Sequence, residues 1–225
     1  RIYRYWTLVD REIDDDFKTA AQTVRDLVID AIERQLVSDV PVCTFLSGGL
    51  DSSIISSVAD RYMAQHNRQL TTFSVTYRDL DKYFDKSKFQ PNSDLPYIEI
   101  MSRFLQSQHH LVELDTPALV SALYDAVEAR DLPGMADVDS SLLLFCGEIK
   151  KNSTVALSGE CADEIFGGYP WYRDPAIRAI NGFPWAQTTL YRFSFLRDEF
   201  AREIDPQNYV QSRYQRTVDS ASKRP

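Results

Sequence analysis

A short apolar run, Val42-Cys43-Thr44-Phe45-Leu46, passes directly into Ser47-Gly48-Gly49-Leu50-Asp51-Ser52-Ser53, after which helical spacing resumes through Ile54, Ile55, Val58, Ala59 and Tyr62. This strand–glycine–helix junction constrains the fold more than any other feature of the chain. A β-rich run bounded by turn residues predicts a strand buried on both faces, as in a parallel sheet. The paired glycines let the backbone approach a ligand closely. The helix that follows turns its unpaired N–H groups and positive dipole end towards the same space. Such a nest of donors suits a phosphate or pyrophosphate. Asp51 would repel that anion unless a cation such as Mg²⁺ bridges carboxylate and phosphate oxygens. The lysine of a Walker A loop is absent. A plain glycine turn with Asp51 capping the helix accounts for the same composition.

The rest of the chain repeats the strand-then-helix rhythm. Apolar positions Phe17, Ala20, Ala21, Val24, Leu27, Val28, Ala31 and Ile32 predict a helix with one buried face. Thr71–Val75 reads as a second strand, Gln108–Leu114 as a third and Val155–Leu157 as a fourth, with helices over 96–105, 117–129 and 140–149. Residues 77–94 are polar and read as a loop. Alternation of this kind predicts an α/β fold with a parallel, helix-covered sheet. After Pro170 the pattern is helical and aromatic. The expected organisation is a linker over 1–16, a nucleotide-binding domain over 17–170 and a helical appendage over 171–225.

A second loop leaves a buried strand end with unusual composition: Ser158-Gly159-Glu160-Cys161-Ala162-Asp163-Glu164, closed by Phe166-Gly167-Gly168-Tyr169. In open α/β sheets ligands sit outside the carboxyl ends of strands. Asp163 would supply a second hard oxygen ligand to a metal, and Glu160 lies nearer the strand end, where a substrate would sit. A cluster of acids capping a helix is the alternative.

Composition narrows the function classes. The 225 residues carry 25 basic and 33 acidic side chains, a net charge of −8, which disfavours non-specific binding to nucleic acid or anionic membranes. No apolar run approaches the ~18–20 residues of a membrane span. Cys43, Cys146 and Cys161 are unclustered, which suggests neither disulfides nor zinc, and the expected compartment is the reducing cytoplasm. Cys43 and Cys146 read as core residues, His109 and His110 as structural.

Ser47 to Ser52 resembles the SGGxDS signature of the PP-loop ATP pyrophosphatases, which cleave ATP between its α- and β-phosphates and adenylate a substrate. SGECADEIFGGY, residues 158–169, resembles the second signature of one branch, the synthetase domain of glutamine-dependent asparagine synthetases. The resemblance extends over roughly residues 1–170. It implies a five-stranded parallel sheet of the adenine-nucleotide α-hydrolase type, with ATP across the strand ends. Leu46 and Val75 would contact adenosine. Ser47, Gly48, Gly49 and Ser52, with Leu50 and Ser53 at the start of the helix, would hold the pyrophosphate. Asp51 and Asp163 match the Mg²⁺ ligands, and Ser158 and Gly159 match contacts to AMP.

The implied chemistry is attack of the aspartate β-carboxylate on the α-phosphorus, then displacement of AMP by ammonia, with Glu160 accepting a proton. The ammonia would come from glutamine through a glutaminase domain that these residues do not include. Since the chain opens with Arg1, it is expected to be part of a longer protein, inactive alone, with a homodimer among the expected assemblies. It departs from well-known members at residues 131–139, which are acidic where those carry threonines and an arginine facing aspartate. Another adenylating synthetase, such as one closing a β-lactam ring, and a nucleotide-binding module without turnover are the alternatives.

Overall fold

A computed structural model of the chain describes residues 2–7, 9, 12–86 and 90–221. Residues 1, 8, 10 and 11 of the expected linker, 87–89 of the polar stretch and 222–225 of the appendage lie outside the described residues. The chain forms two compact units, Asp16–Ala162 and Arg1–Asp15 with Asp163–Pro225.

The first unit opens with α1 (Phe17–Gln35), capped by Asp16, whose Oδ1 accepts from the Thr19 amide at 2.7 Å. It continues through β1 (Val42–Phe45), α2 (Leu50–Gln65), β2 (Thr71–Tyr77), α3 (Leu80–Tyr83), α4 (Leu95–Phe104) and β3 (Gln108–Leu114). Then come α5 (Thr116–Ser121), α6 (Leu123–Arg130), α7 (Ala136–Ile149) and β4 (Val155–Leu157). The four strands form one parallel sheet in the order β3-β2-β1-β4. Cys43 pairs with Thr71 on one side and Ala156 on the other, so β1 is interior although its two neighbours are far apart in sequence.

Alternation along β1 sends successive side chains to opposite faces. Val42 joins Ile32, Leu36, Val58 and Met63 under α1 and α2, while Cys43 joins Phe73, Phe145 and Ile149 under α7. Thr44 returns to the α2 face, where its Oγ1 lies 2.8 Å from Ser56 Oγ, both fully buried. Leaving either hydroxyl unpaired there would cost about 1–3 kcal/mol, so the bond fixes α2 against the strand that feeds it. Phe45 points back to Phe145, ring centroids 5.1 Å apart.

Several expectations need correction. The sheet has four strands among the described residues rather than five: after Leu157 no β-branched run recurs, and the chain turns helical. The apolar face of α1 is buried only towards its carboxyl end. Ile32 is in the core with Val28 and Ile29 packed on it, but Phe17 and Leu27 are 90% and 63% exposed. A helix of 19 residues spans about 28 Å, and only its second half reaches the packing surface of α2. The polar stretch 77–94 contains the short α3, and the helix expected over 117–129 breaks at Ala122. Cys43 is fully buried as expected, whereas Cys146 is exposed.

The second unit is helical among its described residues, as the sequence predicts: α8 (Ala162–Phe166, starting at the last residue of the first unit), α9 (Pro175–Arg178), α10 (Thr189–Phe193), α11 (Asp198–Ile204) and α12 (Pro206–Ala221), with 3₁₀ turns at Pro170–Tyr172 and Pro184–Ala186. Aromatic contacts organise it. Tyr169 stacks on Trp171 at 4.3 Å and Phe183 on Trp185 at 4.9 Å, with Tyr214 edge-on to Phe183. Among the described residues no helix is long and apolar enough to cross a membrane.

Candidate functional site

The carboxyl end of β1 does not stop at Phe45. The Leu46 amide donates to the Phe73 carbonyl at 2.8 Å, and the Leu46 carbonyl accepts from the Ser74 hydroxyl. Leu46 therefore holds the sheet's direction for one more residue before the chain turns. Ser47 and Ser52 close the turn: their hydroxyls lie 2.9 Å apart, and the Ser47 amide donates to Ser52 Oγ at 3.1 Å.

Gly48 is required twice over. Its φ is +78°, and a Cβ there would come within 2.8 Å of the Ile98 amide nitrogen and of Tyr97 Cβ. The loop thus rests directly on the amino end of α4. Gly49 is the N-cap of α2 and has no side chain to accept the first amides of the helix. Leu50, Asp51, Ser52 and Ser53 form the first turn, with Ser52 buried, Asp51 half-buried and Leu50 exposed.

The second loop meets the first. A Cβ on Gly159 would lie 3.0 Å from Asp51 Cβ and 3.3 Å from the Ser52 amide nitrogen, so the backbone after β4 packs on the first turn of α2. Ser158 Oγ accepts from the Glu160 amide at 3.4 Å, Cys161 takes φ +69°, and the Ala162 amide returns to the Gly159 carbonyl at 3.2 Å. Glu160 is exposed on this turn. Asp163 belongs to the second unit, in the first turn of α8. A Cβ on Gly168 would overlap its carboxylate, coming within 2.9 Å of Cγ, and the Gly168 amide donates to its carbonyl at 3.1 Å. The glycine pair after α8 therefore folds back onto Asp163.

Beside the first loop lies a cavity of about 370 Å³ at the carboxyl ends of β1 and β2. Leu46 and Val75, the residues expected to contact adenosine, are both in its lining, with Ser47. The residues that sequence reasoning missed complete it: Phe73, Ile98 and Phe145 give it an apolar wall, and Asp94 a charge. No motif marks these positions; only the packing of α4 on Gly48 and of α7 on the sheet brings them in. Burial pushes the Asp94 carboxyl above the ordinary carboxylate value, against the lowering effect of a hydrogen bond from Gln90 Nε2 at 3.4 Å.

Among the described residues no group of three or more His, Cys, Asp or Glu could hold a metal by itself. The half-buried Asp51 beside a glycine loop instead fits a cation that takes its other ligands from phosphate and water, as Mg²⁺ does. The opposite wall is held by α7. Ser141 Oγ lies 2.7 Å from the Tyr77 hydroxyl, and the buried Asp139 pairs with Arg130 at 2.5 Å across the turn that contains Gly134.

Comparison with known proteins identifies the family. Asparagine synthetase [glutamine-hydrolyzing] 3 of Bacillus subtilis is 48% identical over 218 residues, covering 96% of this chain and 35% of its own length. Asparagine synthetase [glutamine-hydrolyzing] 1 of the same organism is 38% identical over 153 residues, covering 68% of this chain and 22% of its own length. The chain thus spans about a third or less of the curated relatives it matches. The family described as asparagine synthase matches residues 23–224, nearly the whole chain. The chain belongs to the asparagine synthase family.

Proposed function

We propose that this chain is the nucleotide-binding part of a cytoplasmic, ATP-dependent amide-forming ligase that adenylates the side-chain carboxylate of aspartate and transfers ammonia to it, giving asparagine. The adenosine occupies the cavity between Leu46 and Val75, and the pyrophosphate lies in the glycine loop. There the amides of Gly48, Gly49 and Leu50 and the hydroxyls of Ser47, Ser52 and Ser53 surround it. Asp51 holds Mg²⁺, which when bound offsets the phosphate charge. Ser158 and Gly159 border the α-phosphate side, since their loop packs on Asp51 and Ser52.

A carboxylate oxygen of aspartate forms a bond to the α-phosphorus as the bond to pyrophosphate breaks. Ammonia then attacks the acyl carbon, AMP leaves with the bonding pair, and Glu160 takes the proton. The protein's part is mostly positioning and electrostatics. The observation that supports this reading most directly is the packing of Gly159 on the first turn of α2, which joins the two motif loops at adjacent strand ends.

Exchange of labelled pyrophosphate into ATP by the intact protein tests it. Aspartate should support exchange, and Asp51→Ala should abolish it. Exchange with another carboxylic acid and none with aspartate would refute the aspartate assignment. Mg·ATP binding with no exchange for any acid would leave a nucleotide-binding module without turnover.

A further inference from the structure

Asp94 sits where the apolar cavity meets the glycine loop. A Cβ on Gly48 would lie 3.1 Å from the Asp94 carbonyl, and Asp94 itself lines the cavity with Leu46 and Ser47. It occupies the N-cap position of α4, yet its side chain makes no cap bond: the α4 amides of Tyr97 and Ile98 are taken by its backbone carbonyl, each at 3.0 Å. The carboxylate is thus not engaged by the helix it precedes. Gln90 donates to Oδ2, and an ionised carboxylate has about four acceptor positions in all.

In a nucleotide the sugar lies between base and phosphates. With phosphates in the loop and the base among Phe73, Val75 and Ile98, the group that reaches the junction is the ribose. A carboxylate repels phosphate, finds no partner on the hydrophobic faces of a base, and accepts readily from sugar hydroxyls, as the acidic residue of dinucleotide folds does.

Building on the nucleotide reading above, we propose that Asp94 is a ribose-binding residue whose carboxylate accepts from the 2′- or 3′-hydroxyl and makes the site select ribonucleotides over deoxyribonucleotides. Hydroxyl donors also relieve a charge that burial disfavours, because hydrogen bonds to the ionised form offset its desolvation.

Calorimetric titration of the intact protein with Mg·ATP, Mg·2′-deoxyATP and Mg·3′-deoxyATP tests this, using wild type, Asp94→Ala and the near-isosteric Asp94→Asn. Wild type should bind ATP at least about tenfold more tightly than one of the two deoxy analogues, the scale of a lost hydrogen bond to a charged group. Asp94→Ala should bring ATP down to that analogue's affinity while leaving the analogue itself within about twofold, and Asp94→Asn should lose part of the preference. Unchanged discrimination in Asp94→Ala, equal wild-type affinity for all three nucleotides, or a parallel loss for ATP and analogue would each overturn the assignment and leave the nucleotide site standing. Failure of wild type to bind any of the three would overturn the nucleotide reading as well.

Discussion

Two glycines separate conformational need from mere presence. Gly48 has a positive φ and no room for a methyl group, because the atoms in the way are the Ile98 amide nitrogen and Tyr97 Cβ at the fixed end of α4. Gly147, in the last turns of α7, has nothing within 4 Å of where a Cβ would sit. Gly147→Ala should therefore raise stability by about 0.5–1 kcal/mol, the helix-interior difference between the two residues. Gly48→Ala should lower it by more than about 1–2 kcal/mol, left-handed backbone cost and overlap together, and should weaken Mg·ATP binding. Chemical denaturation of both variants checks the pair, and a neutral Gly48→Ala would contradict the packing of the loop on α4. The doubled glycine was legible in the sequence because its neighbours are a strand and a helix start. Its reason was not: Asp94, Tyr97 and Ile98 stand about fifty positions away, and nothing local announces that α4 comes to rest there.

Strands and helices were legible for a related reason. A strand buried on both faces has no room for a charged side chain, and β1 and β2 carry only apolar and small hydroxyl side chains with Tyr77 at the end; a helix over such a sheet shows its spacing, as α2 and α7 do. The order of strands is a different matter, since the pairing of β1 with β4 depends on complementarity across the whole unit. The edge strand β3, paired with β2, carries a testable consequence of its own. Thr72 on β2 places its hydroxyl 3.0 Å from His109 Nδ1 and 3.1 Å from Ser107 Oγ, while Phe73 stacks on His110 at 4.9 Å. Burial, and secondarily the neighbouring His110, hold the His109 pKa below its ordinary value of 6.5. The unfolded chain therefore binds a proton at His109 more readily than the folded one. Stability from this group is complete above pH 6.5 and falls as the pH drops from there towards the lowered folded value. Melting temperature should decline over that acidic window, and His109→Gln, which cannot take the proton, should flatten this part of the decline. An identical pH profile in the variant would show that His109 titrates as if unfolded.

Across the whole molecule the apolar core is unevenly shared. Every buried hydrophobic residue from Ile32 to Ile149 lies in the unit Asp16–Ala162, around β1 and β2. Among its described residues the other unit buries no residue fully, and its packing rests on partly exposed aromatic stacks such as Tyr169 on Trp171. Apolar composition alone did not distinguish the two, because aromatic residues abound in both; what differs is the sheet, which lets one unit bury side chains on two faces at once. Opening free energies should follow this division, since regions with few buried apolar contacts open locally long before the global transition. In native-state hydrogen exchange, amides of β1 and the centre of β2 should be the slowest in the chain, exchanging through global unfolding. Those of α9 to α12 should exchange faster by about 100-fold or more. Saturating Mg·ATP should slow exchange in the first turn of α2, the proposed phosphate site, and change that of α12 little. Protection that is uniform across both units, or a nucleotide effect confined to α12, would mean that the stability and the site are distributed otherwise than the packing of this chain implies.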